Sequence, residues 1–181
     1  MKLIIGLGNP DKKYQNTRHN LGKKIIKDFV EKQLGGSFIS KTNLLAETYE
    51  TGQGTSKNIF AISTEYMNNS GLTVQKIARF YKISTTDIYI IHDDLDLPIG
   101  EYKIQFDRGP AGHNGIKSII ENLNTQQFNR LRIGISKPQN NIPIEDYVLQ
   151  PLLKEETIII KDIIPKIFDD LRSIINDLKS N

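Results

Sequence analysis

Apolar residues along the chain recur at two periods, and the switches between them mark the expected elements. Residues 2–7 (KLIIGL) are an apolar run broken by glycine, the pattern of a buried strand. Residues 8–18 are polar and irregular. Leu21, Ile25 and Phe29 then repeat every four positions, and Ile26 and Val30 widen the stripe. This spacing predicts a helix over about 20–34, stopped by Gly35-Gly36. Residues 45–50 and 58–63 read as strands joined by a turn around Gly52 and Gly54. Ser70 can cap a helix carrying Val74, Ile77, Ala78 and Tyr81 on one side. Residues 87–93 (DIYIIHD) read as another buried strand, and Tyr102, Ile104 and Phe106 alternate with polar residues as in a strand with one wet face. Asn114 opens a helix with Ile116, Ile119, Ile120 and Leu123, and residues 130–135 (RLRIGI) form a further strand. A Pro/Asn-rich loop follows over 136–143, then an amphipathic helix from about Glu155 that Pro165 kinks or divides.

Strands interleaved with helices, with no internal repeat or linker, indicate an α/β fold. The expectation is a single domain over residues 1–181, a three-layer sandwich with a mixed, mostly parallel sheet flanked by helices. The length of 181 residues and hydrophobic share of 38% suit one soluble core. No apolar run is long enough to span a bilayer. The opening MKLIIGLGNP is broken by Gly6, Gly8 and Pro10, and no small-residue cleavage site follows, so it does not read as a signal peptide. With no cysteine there is no disulfide framework and no thiolate chemistry, and the cytoplasm is the default location.

The net charge of +3 says little, but its distribution says more. Residues 1–44 hold nine Lys/Arg against three Asp/Glu, residues 45–143 ten of each, and residues 144–181 five against eight. A basic N-terminal third fits a phosphate-bearing partner, although solvated helix lysines account for the same numbers.

The chain has three histidines, each at the end of an expected element beside Asn or Asp: His19, His92 and His113. Sites in open α/β sheets gather where strands end. Asn9, Asn68 and the segment from His92 to Asp94 all fall at such ends. A His19–Asp93 pair would let the carboxylate hold one ring N–H while the other nitrogen exchanges protons near neutral pH. There is no Gly-x-Ser-x-Gly elbow, so such a pair would most simply activate water, chemistry that suits an ester better than an amide. Carboxamides of Asn9, Asn68 and Asn114 can donate to an oxyanion without adding charge. Blander readings stand beside these: Asn9 as a turn residue before Pro10, Asn68 or Ser70 as a helix cap, Asn114-Gly115 as a cap or turn. Asp93 and Asp94 could also ligate a metal, but no second ligand cluster stands at a familiar spacing. The Gly6-x-Gly8 pair after a strand resembles a dinucleotide fingerprint, yet Asp11 occupies the third glycine position and the helix starts late.

These residues together resemble bacterial peptidyl-tRNA hydrolases. The resemblance rests on GLGNP (residues 6–10), Tyr14, TRHN (17–20), YMNNSG (66–71), HDDLDLPIG (92–100), GHNGIKSI (112–119) and FNRLRIGI (128–135), in family order, over residues 2 to about 150. It implies hydrolysis of the ester between a peptide and the 3′ end of tRNA by a monomer without metal or cofactor. His19 would be the general base, Asp93 would orient it, and Asn9 would hold the ester or oxyanion. Asn68 and Asn114 would bind the terminal adenosine region and the peptide backbone, with Tyr14, Tyr66 and Met67 lining the channel. His113 would support the Asn114 loop. Three positions depart from the family pattern: Asp11 replaces a glycine, Pro110 and Ala111 replace a histidine and a glycine, and Gln105 stands at the lysine of a phosphate clamp whose arginine is Arg132. Lys103 or Arg108 would then have to substitute. The same resemblance leaves a non-catalytic RNA-binding protein of this fold as the alternative.

Overall fold

The computed structural model describes residues 1–139 and 141–176. Its strands are β1 (Lys2–Gly6), β2 (Ile39–Lys41), β3 (Ala46–Thr51), β4 (Asn58–Ser63), β5 (Ile88–Asp94), β6 (Tyr102–Phe106) and β7 (Asn129–Gly134). The helices are α1 (Leu21–Gln33), α2 (Ser70–Tyr81), α3 (Asn114–Leu123), α4 (Ile144–Val148) and α5 (Lys154–Asn176).

All seven strands join one sheet in the order β2-β3-β4-β1-β5-β7-β6. The four central strands β4, β1, β5 and β7 run parallel, while β2, β3 and β6 add antiparallel pairings toward the edges. Alternation along each strand sends side chains to two cores. Ile4, Phe60, Ile91 and Leu131 pack under α1 and α5, with Ile25, Phe29, Ile163 and Ile167. Leu3, Ile5, Ile59, Ile88 and Ile90 pack under α2 and α3, with Val74, Ile77, Ile116 and Ile119. Central strands buried on both faces explain why 2–7 and 87–93 read as continuous apolar runs. The mixed α/β sandwich expected from the sequence is the one observed.

Three expectations change. Ser70 does not cap α2: it is the first helical residue, and its hydroxyl donates back to the Met67 carbonyl at 2.8 Å. Pro165 does not divide the last helix, which runs unbroken through it. The apolar side of β6 is largely wet: Tyr102 packs toward α5, but Ile104 and Phe106 are 45% and 46% exposed at the sheet edge. Residue 140 of the expected 136–143 loop and residues 177–181 lie outside the described residues.

What positions the site is the close approach of α1 to the sheet. Gly6 of β1 faces Gly22 of α1, and Gly22 lies against the Ile91 carbonyl of β5, so a Cβ at either position would overlap backbone. The Gly6 that suggested a nucleotide loop is therefore a packing contact. Gly22→Ala is expected to destabilise the fold by about 2–3 kcal/mol, the scale of overpacking against atoms that cannot move aside. A lower urea midpoint at unchanged slope would register it. An unchanged midpoint would show that α1 can shift freely.

Candidate active site

The parallel strands end on one side of the sheet, and their C-terminal ends carry the polar residues. Asn9 follows β1, Tyr66, Met67 and Asn68 follow β4, and Asp93 closes β5. His19 sits in the single turn of 3-10 helix (Arg18–Asn20) that leads into α1. The Leu7 carbonyl accepts from the Lys23 amide at 2.8 Å, which ties the helix start to the strand end.

His19 and Asp93 meet. His19 Nδ1 lies 3.0 Å from each Asp93 carboxylate oxygen, with His19 8% and Asp93 2% exposed. A carboxylate only accepts, so Nδ1 carries the proton and Nε2 keeps its lone pair. Burial opposes charge on His19, but the Asp93 carboxylate outweighs it and raises the pKa above the usual 6.5. Burial also opposes charge on Asp93, yet His19 and His113 hold its pKa far below the carboxylate range.

His113 shares the same carboxylate. Its Nδ1 accepts from the Gly115 and Ile116 amides at 3.1 and 3.3 Å, capping α3. The proton therefore sits on Nε2, which donates to Asp93 Oδ1 at 3.3 Å. Both ring nitrogens are occupied, so His113 braces the acid and the helix that begins at Asn114. The cap belongs to His113, neither to Asn114 nor to Gly115. His92 is fully buried, donates from Nδ1 to the Asp93 carbonyl at 2.6 Å, and is held neutral by burial and by the neighbouring His113. Among the described residues, His19 is the one imidazole of the three that offers a free nitrogen to a cleft.

Asn9 is fixed from three sides. Its backbone amide donates to Asn20 Oδ1 and its carbonyl accepts from Asn20 Nδ2, both at 2.9 Å. Its side-chain Oδ1 accepts from the Met67 amide at 2.8 Å, which leaves its Nδ2 as an uncommitted donor among the described residues. Asn9, His19, Tyr66, Met67, Asn68 and Asn114 line one hollow of about 270 Å3. Its remaining wall is Glu145, Val148 and Leu149 around α4. A larger hollow, about 650 Å3 between α1 and α5, holds none of these groups, so volume is a poor guide to the chemistry here.

Two expected positions fall elsewhere. Tyr14 is not on the hollow's wall: its ring lies under the Lys13 ammonium and its carbonyl accepts from Thr17. Arg132 is turned inward at 3% exposure, donating to Asp94 Oδ2 at 2.7 Å and to Gln105 Oε1 at 3.0 Å. Gln105 and Asp94 hold that guanidinium, while Lys103, beside it in register, is exposed. Asp11, the departure after Asn9, has φ −66°, a conformation open to any residue, and its carboxylate accepts from Tyr66 Oη at 2.8 Å. His19, Asp93 and His113 are also the one His/Asp group close enough to share a cation among the described residues. Both nitrogens facing Asp93 carry protons in this arrangement, so a cation would have to replace both.

The family model for peptidyl-tRNA hydrolase matches residues 3–181. The chain belongs to the peptidyl-tRNA hydrolase family. A relative named peptidyl-tRNA hydrolase from Mycoplasma capricolum subsp. capricolum is 45% identical over 181 residues, covering 100% of this chain and 94% of that one. Another of the same name, from Aliarcobacter butzleri, is 41% identical over 184 residues, covering 99% and 97%. The crystal structure of peptidyl-tRNA hydrolase from Acinetobacter baumannii superposes with a TM-score of 0.90 at 27% identity, over 97% of this chain and 88% of that one.

Two features of the site are not among those the sequence pattern announces. The first is α4, whose signals were short: Pro143, then Glu145 and Asp146 in a first turn. The second is Arg18, which is buried under His19's turn. It donates to the Pro151 carbonyl at 3.0 Å, pairs with Glu156 at 2.6 Å and stacks over Tyr147 at 4.1 Å. It thereby ties α4 and α5 to the turn that carries His19.

Proposed function

We propose that this chain hydrolyses the ester joining a peptide to the 3′ end of tRNA, with His19 as general base. The observation that carries this reading is the single free imidazole nitrogen, held by a buried carboxylate over a hollow lined with carboxamides. His19 Nε2 takes a proton from water, and the resulting hydroxide attacks the acyl carbon. Asp93 stabilises the imidazolium as it forms. The Asn9 Nδ2 donor stabilises the oxyanion. When the tetrahedral adduct collapses, the C–O bond breaks, and the ribose oxygen leaves with the proton returned from His19. The products are a free peptide acid and tRNA. Asn68 and Asn114, exposed and without side-chain partners among the described residues, are suited to bind the terminal nucleoside and peptide amides. Tyr66 and Met67 complete the wall.

The wider reading is a one-domain enzyme acting as a monomer in the cytoplasm. One sheet running through both cores supports the single domain. No described helix is long and apolar enough to cross a membrane. The purified protein is expected to release tRNA from N-acetyl-aminoacyl-tRNA. Binding without release would favour the non-catalytic RNA-binding alternative, which the assembled His–Asp pair and the hydrolase family disfavour.

The pH dependence has a definite sign. Only neutral His19 can take the proton, and its pKa is raised above 6.5, so kcat/KM falls as pH drops through an inflection above that value. An acid limb well below 6.5 would assign the inflection to another group. Chelator treatment is expected to leave the rate unchanged, and loss of activity restored by a divalent cation would move the chemistry to a metal.

A further inference from the structure

Beside the cleft lies a second hollow, of about 370 Å3, and Asn9 is on the wall of both. Four ammonium groups surround it: Lys12, Lys23, Lys24 and Lys27. Lys23 and Lys27 are four apart on α1, and Lys24 and Lys27 three apart, so the helix presents them on one face. Lys23 is half-buried, its stem against Gly8, with Nζ 3.4 Å from the Asn9 carbonyl. Neither it nor Lys12 nor Lys24 has a carboxylate within ion-pair distance among the described residues, and Lys27 makes only an exposed 3.8 Å pair with Glu31. Of the two acids on this wall, Asp11 is occupied by Tyr66 and Glu47 faces the group alone. The hollow therefore carries an excess of positive charge next to the proposed reacting ester.

An ester held at Asn9 has a nucleoside side and an acyl side. The cleft at His19 offers an exposed Tyr66 ring, which suits a base that stacks, and carboxamides that suit the base edge and the peptide amide next to the ester. The second hollow has no aromatic ring on its wall; its lysines and carboxamides outnumber its two acids, Asp11 and Glu47. We propose that it is the peptide subsite, and that its ammonium groups select peptides with an acidic side chain near the ester over peptides with a basic one. This inference rests on the ester-hydrolysis reading above. It concerns this chain's own lysines and assigns a charge preference to the peptide half of the substrate.

The test uses three N-acetyl-dipeptidyl-tRNAs with one tRNA body and alanine at the ester, differing only in Glu, Gln or Lys as the next residue. Phosphate contacts are then common to all three and cancel in the comparison. KM is expected to be lowest for Glu and highest for Lys, a spread of about five- to tenfold at low ionic strength that shrinks with added salt. In Lys23→Gln/Lys27→Gln the spread collapses toward one, whereas Lys23→Arg, which keeps the charge, retains it. Equal KM values in the unsubstituted protein overturn the charge selection while leaving the hydrolysis reading intact. A spread that survives in the double variant overturns its assignment to these lysines. An equal KM rise for all three substrates in that variant assigns the lysines to tRNA phosphates and overturns the proposal. Failure to hydrolyse any of the three overturns the underlying reading as well.

Discussion

Replacing His19 by alanine lowers kcat by about 10²–10⁴-fold, the usual worth of a general base. The expectation follows from position as much as from residue type. His113 has both ring nitrogens engaged, by Asp93 and by the α3 amides, and His92 is buried with Nδ1 on a carbonyl. Neither can take over. The loss should fall on kcat and leave KM close to its starting value, because the ring is placed to act on water rather than to grip substrate. Single-turnover deacylation of N-acetyl-aminoacyl-tRNA separates the two terms. A variant keeping most of its rate would remove His19 from the role, provided its urea midpoint shows an intact fold.

Asp93→Asn is expected to cost about 10²–10⁴-fold in kcat despite its nearly unchanged shape, because a comparable Asp-to-Asn change beside a catalytic histidine acts through the tautomer. An amide offers one acceptor where the carboxylate offers two. If the amide oxygen stays on the His113 N–H, its NH2 group faces His19 Nδ1 and drives the proton to Nε2. The nitrogen toward water then has no lone pair. The variant also removes the charge that raises the His19 pKa, so whatever activity remains should show an acid limb shifted to lower pH. Activity and pH profile both matching the starting protein would show that Asp93 only fills space.

The contrast between what the sequence reveals and what it hides follows the range of each interaction. Leu21, Ile25 and Phe29 pack on one core face, so their spacing announced α1 directly, and the doubly buried runs announced β1 and β5. The three-residue β2 carries no period of its own and exists only through pairing with β3. Ile104 and Phe106 alternate correctly, but alternation does not say that the edge of the sheet leaves them uncovered. At the site, His19, Asp93 and the three asparagines were legible because each stands at a strand or helix end. Arg132 was not, since its orientation depends on neighbours distant in sequence, Asp94 and Gln105; Tyr14 was not, since nothing in the local pattern says that its ring turns under the adjacent Lys13 and away from the hollow. The capping role of His113 was hidden although its partners, the Gly115 and Ile116 amides, are near in sequence, because a cap is recognisable only once α3 has a start.

The central claim concerns one nitrogen, and nitrogen-15 NMR of the imidazole rings through a pH titration observes it directly. His19 is expected to hold its proton on Nδ1 at alkaline pH and to gain a second on Nε2 with a pKa above 6.5, coinciding with the acid limb of kcat/KM. A His19 ring protonated on Nε2 throughout the active pH range, or one titrating apart from the rate, would contradict the account.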